Sequence, residues 1–246
     1  MRTHFVATHP LFGRGKNKLP ISYQQRSPYY WWWAFLRRNE EYLACCANGG
    51  EGRLKDLYAD FGDVSNDNFH AWWTGERRGS VLFAEKPLPL NLKELKDSSE
   101  WNTDWTADAV MVVAVPLSLS KRHLQSKFAH LLKLRHEGKR GRKRGSEGYV
   151  STAKYRLHRA VSVETLRIQL AVYDAVIAKR RGESDQKLWE IGQEMRLVRS
   201  AMPIKGDHPH DTENKRKAMA SAVSRHFKAA ERIIANVVKG EFPNSA

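Results

Sequence analysis

The sequence predicts a mainly α-helical protein: a Trp-rich helical N-terminal part with minor β structure, then a basic C-terminal part ending in a three-helix unit. Three observations carry that expectation. Apolar residues recur at helical spacing over 163–179, 184–195 and 211–239. Seven of the eight Trp lie before residue 106, so the two parts differ in composition. The charge divides the same way: residues 1–120 hold 14 Lys+Arg and 14 Asp+Glu, 121–160 hold 13 and 2, and 161–246 hold 15 and 11.

The expected segments are an arm over 1–27, a Trp-rich neutral domain over 28–119, a basic helix and cationic loop over 120–160, and the three-helix module over 161–246. A chain of 246 residues is long enough to bury a sizeable core. Its two cysteines are adjacent, Cys45 and Cys46, which builds neither a disulfide framework nor a zinc site. They are expected at a helix end, partly buried. The apolar run Ala109 to Val115 is too short to span a bilayer, so no membrane partner is expected. Residues 1–20 hold no apolar core of signal-peptide length, so the expected location is the cytoplasm, with the nucleoid.

Taken in order, residues 1–27 carry Gly, Pro and scattered cations without periodicity, so they are expected either loose or docked along the surface. Ser27-Pro28 is a helix start, with Ser as N-cap and Pro in the first turn. The helix is expected to run from Tyr29 to Cys46 and to end at Asn48-Gly49-Gly50. A second helical stretch covers Asn66 to Trp73. Residues 79–95 are expected as a short strand and Pro-punctuated loop, and Ala109–Val115 as a buried strand. The Trp run could stack on bases, but its flanking charge is balanced, which favours a core of aromatic plates.

The segment from Lys121 begins as an amphipathic helix with Leu124, Phe128, Leu131 and Leu132 on one stripe. Three glycines then alternate with Lys139, Arg140, Arg142, Lys143 and Arg144, which leaves nothing to pack. Such a loop suits a phosphate backbone or minor groove, and Arg156 and Arg159 follow it.

Leu166, Leu170, Tyr173 and Ile177 stripe a helix over Val163–Lys179, and Arg180-Arg181-Gly182 ends it. A short helix follows, with Ser184 as expected N-cap and Leu188, Ile191 and Met195 inward. The third helix starts at Asp211 or Thr212 and buries Met219, Val223, Phe227, Ala230, Ile234 and Val237. This order is that of a helix-turn-helix unit, whose third helix enters the major groove. Its exposed residues would be Lys215, Arg216, Lys217, Ser221, Ser224, Arg225 and Lys228.

The stretch Tyr30-Trp31-Trp32-Trp33-Ala34-Phe35-Leu36-Arg37-Arg38-Asn39-Glu40-Glu41-Tyr42 resembles the W-x-FLRRN-x-x-Y signature of a transcriptional-regulator-like N-terminal domain. That domain is found in proteins of proteobacterial integrative and conjugative elements, where it often precedes a DNA-binding-domain-like module. Leu170, Tyr173-Asp174-Ala175, Gly182, Ser184, Ile191, Val223, Arg225, Ala229-Ala230 and Gly240 are similar to that module, in the same order. Gly192 departs from it, standing where such modules usually carry Ala, and the 196–211 connection is enlarged. The resemblance implies a DNA-binding regulatory or accessory protein of a mobile element and no catalytic residues.

The expected partner is therefore DNA, duplex favoured, with RNA or single strands as the alternative. A homodimer or protein contact is expected through the Trp-rich half. No cofactor or metal is expected. Nucleic-acid cleavage would need acids such as Asp104, Asp108, Asp174, Glu190, Glu194, Asp207 and Asp211. The alternating Asp207-His208-Pro209-His210-Asp211 is expected as solvated loop rather than a metal site.

Overall fold

Ser27 and Pro28 start the helix around which the rest is built. The computed structural model describes residues 4–15, 17–85, 94–101, 110–135, 151–158 and 162–245. In helix α2 (Pro28–Leu36), the Ser27 hydroxyl accepts from the Tyr29 N–H and every residue from Tyr29 to Leu36 is buried. A helix without a polar face must be covered on all sides. A short turn, α1 (Ile21–Gln24), precedes it, and α3 (Glu40–Ala47), α4 (Lys55–Phe61), α5 (Phe69–Thr74) and α6 (Arg78–Phe83) follow.

The one helix expected over 29–46 is broken at residues 37–39. Asn39 leaves helical geometry and caps α3, its Oδ1 accepting from the Tyr42 N–H at 2.9 Å. Cys45, buried, and Cys46, half-buried, sit in its last turn. The strand expected from residue 79 is α6 instead. Gly79, Leu82 and Phe83 are its buried residues, a helical spacing, and the face of the Trp73 ring lies against Gly79. A Cβ at Gly79 would sit 2.2 Å from that ring, so only glycine fits. Arm residues dock: Phe5 lies 5.8 Å from Trp73 and Phe12 5.9 Å from Phe69. A hairpin, β1 (Gly13–Arg14) and β2 (Asn17–Lys18), follows Phe12.

Three further helices complete this core: α8 (Val163–Arg180), α9 (Leu188–Glu194) and α10 (Pro209–Val237). The sequence suggests a division near residues 116–120; the contacts divide the chain differently. Residues 1–85 and 151–246 form one unit and 86–150 another. The physical cause is α2, which α8 and α10 cover with Leu166, Leu170, Ala230, Ile233, Ile234 and Val237. Trp32, fully buried, touches Phe61 and Phe83 from the N-terminal half and Tyr155 and Phe242 from the C-terminal half. The Arg37-Arg38-Asn39 joint adds polar ties. Arg37 pairs with Asp67, Arg38 grips Asp174 of α8 with two hydrogen bonds, and Asn39 donates to the Ile234 carbonyl of α10 at 3.0 Å.

The chain leaves and re-enters this unit at one buried carboxylate. Glu85 accepts from the Thr152 N–H at 2.7 Å and from the Ser151 and Thr152 hydroxyls.

In the 86–150 unit, α7 (Lys121–Arg135) carries five Lys/Arg, no acid and no buried residue. Leu124, Phe128 and Leu131 are half-buried, while Leu132 is exposed. Val110–Val115, expected as part of a buried strand, forms none; Met111–Val115 are exposed. Ala109 lies outside the described residues.

Candidate nucleic-acid interface

The three C-terminal helices share a second core, built from Val172, Val176, Ile191, Val223 and Phe227. Tyr173 stacks on Phe227 at 5.5 Å, and the Arg180 guanidinium covers the same ring at 4.4 Å. Gly192 sits where α9 and α10 pack closely. A Cβ there would lie 3.0 Å from the Met219 Cβ and 3.2 Å from its carbonyl, so glycine lets α9 approach α10. Helix α9 starts three residues later than the Ser184 cap implies. Ser184 accepts from the Gln186 N–H in a preceding turn, and Glu190 reaches back to the Lys187 N–H. Helix α10 starts at Pro209, whose fixed φ suits the first helical position.

The seven polar residues expected to be exposed on α10 separate into two groups. Lys217, Ser221, Arg225 and Lys228 face outward and are exposed. Lys215 does not; its ammonium lies 2.7 Å from both oxygens of Asp207, which also accepts from the Ile204 N–H. It ties the 196–208 connection to α10. The Lys215 hydrogen bonds, then that of Ile204, hold the Asp207 carboxyl below the usual aspartate range. The tie therefore persists above that range and is lost as pH falls through the lowered value. Arg216 is exposed as expected, but its guanidinium lies over the Trp189 ring of α9 at 4.4 Å, a cation–π contact. Ser224 is half-buried and returns its hydroxyl to the Ala220 carbonyl at 3.0 Å.

The outward group belongs to a longer stripe. Asn214, Lys217, Ser221, Arg225, Lys228 and Arg232 follow at steps of three and four, with Ala218 on the same face, all exposed and with no acid among them. Asn214 and Arg232 escaped the sequence reading, although continuing the same period from Arg225 reaches both. Glu213 and Glu231, at the stripe's flank, are paired with Lys217 and Arg180. Arg225 and Lys228 have no ion-pair partner among the described residues. Burial, then the Arg225 cation, lowers the pKa of His226. From Asn214 to Arg232 the stripe spans roughly 27 Å, with Ala218 and Ser221 leaving room for close approach.

Arg156 is exposed. Residues 153–158 alternate: Tyr155 and Leu157 pack on the aromatic core, while Lys154, Arg156 and His158 line a cleft of ≈ 370 Å³ with Gly240 and Glu241. Lys154 is committed to Asp60, which leaves Arg156 as the cleft's guanidinium. Lys139, Arg140, Arg142, Lys143, Arg144 and Arg159 lie outside the described residues.

Trp101 is exposed, but the five Trp of the aromatic core offer little to a ligand. Trp31, Trp32, Trp33, Trp72 and Trp73 are all buried. Among the described residues no group of three His, Cys, Asp or Glu could hold a metal ion, and no helix is long and apolar enough to cross a membrane. Compared with protein-family models, curated proteins and solved structures, the chain matches none.

Proposed function

We propose that this chain is a non-catalytic, duplex-DNA-binding protein, a transcriptional regulator or accessory factor of a mobile genetic element acting on the nucleoid. The acid-free outward stripe of α10 carries the reading. A 29-residue helix with this face fits the major groove, where Arg225 and Ser221 reach base edges and Lys217, Lys228 and Arg232 reach phosphates. Helices α8 and α9 brace it from behind, the role of the first two helices in a helix-turn-helix unit. The regulatory and mobile-element parts rest on the resemblance of the Tyr30–Tyr42 motif.

Burial of the Trp cluster favours duplex over single strands, because a single-strand binder needs aromatic faces open to stack on. The test is competition among duplex, single-stranded DNA and RNA of equal length, repeated across salt. Duplex is expected to compete best. Neutralising Lys139, Arg140, Arg142, Lys143 and Arg144 together is expected to flatten the salt dependence by up to about four log units per log unit of salt. Equal competition by all three polymers, or an unchanged slope, would count against the respective part of the proposal.

A further inference from the structure

The run Val110–Val115 is six consecutive apolar residues outside any helix or strand, with no bridge partner among the described residues. Val112 is 62% exposed and Val115 53%. Four of the six are Val, a residue suited to pleated, half-buried strands. An exposed Val-rich run that pairs with no strand among the described residues is a template for β pairing with another chain.

We propose that this run pairs antiparallel with the same run of a second copy, across a two-fold axis. The charge order identifies the occupant and the direction. Residues 109–120 carry no charge; Asp104 and Asp108 precede them in sequence, and Lys121 and Arg122 follow. An antiparallel copy sets the acidic end of one chain against the basic end of the other, at both ends. A parallel copy sets like against like. A nucleic acid gains nothing from an uncharged run, and a closed two-fold pair uses the same patch on both chains. Six residues span roughly 20 Å, an ordinary strand length. A two-stranded ribbon alone is marginal. Exposed Leu132 and Leu134 of α7, in the same unit, offer further apolar surface.

Sedimentation equilibrium of the full chain, without nucleic acid, tests this independently of the DNA-binding proposal. The expected mass is that of two 28.3 kDa chains. Val112→Lys and Val113→Lys, both at exposed positions, are each expected to raise the dimer dissociation constant about tenfold or more, with helical circular dichroism unchanged. Val81→Lys, at an exposed apolar site in the other unit, is expected to leave the dimer intact. A monomeric wild type, association beyond a dimer, or a dimer that survives both substitutions in the run would overturn the proposal.

Discussion

Trp32→Ala is expected to destabilise the protein by about 3–5 kcal/mol, a large share of a domain's typical total. Trp32 has no exposed surface and packs within 5.0–6.2 Å of four rings drawn from both ends of the chain. The cavity would open where 1–85 meets 151–246, so both lose support together. Denaturant unfolding followed by Trp fluorescence and by the main far-UV transition is the measurement. In the wild type the two are expected to coincide, since the segments share one core. Separated transitions would mean two independent domains. Trp32→Phe is expected to cost less. It keeps a ring in place and removes an indole N–H that has no acceptor among the described residues.

The double substitution Arg225→Ala, Lys228→Ala is expected to weaken duplex binding roughly a hundredfold, with the fold intact. Both side chains are exposed and carry no ion pair among the described residues, so the folded state loses no tie. Taken singly, the two differ in kind. Arg225→Ala is expected to relax sequence preference, the mark of a base contact. Lys228→Ala is expected to weaken all sequences alike and lower the salt slope by about one. Lys215→Ala provides the contrast, since its ammonium serves Asp207 and its loss frees a loop rather than a phosphate contact. Equilibrium binding at several salt concentrations separates the three.

The helices were legible where a single face is apolar. The stripe of α10 placed it to within two or three residues, because one-sided burial writes a 3.6 period into the sequence. Helix α8 was placed as closely, but it serves two cores. It buries Val172 and Val176 where the expected stripe had Tyr173 and Ile177, which are half-buried. Helix α2 hid its end because it is apolar all round; nothing in the apolar pattern announces that Asn39 caps a new helix. The joining of 1–85 to 151–246 was legible only in hindsight of contacts. Arg38 and Asp174 are a surface-like pair in sequence and become a bridge because α8 passes beside the Arg37-Arg38-Asn39 joint. Val110–Val115 has the composition of a buried strand, yet Met111–Val115 sit exposed. Strand burial depends on a partner, and composition does not name one.

The interface was half legible for a related reason. Residue type identified the cations of α10, but their direction depends on what α9 and the 196–208 connection place beside them. Trp189 claims Arg216 and Asp207 claims Lys215, which leaves Lys217, Ser221, Arg225 and Lys228 facing outward.

The most direct measurement is photo-crosslinking of the full chain to duplex DNA, with the crosslinked residues identified by mass spectrometry. The expected crosslinks on α10 fall on its outward stripe between Lys217 and Arg232, with Lys215 and Arg216 spared. Crosslinks confined to residues 28–85, or to the α9-facing side of α10, would contradict the assignment of that stripe as the DNA-reading face.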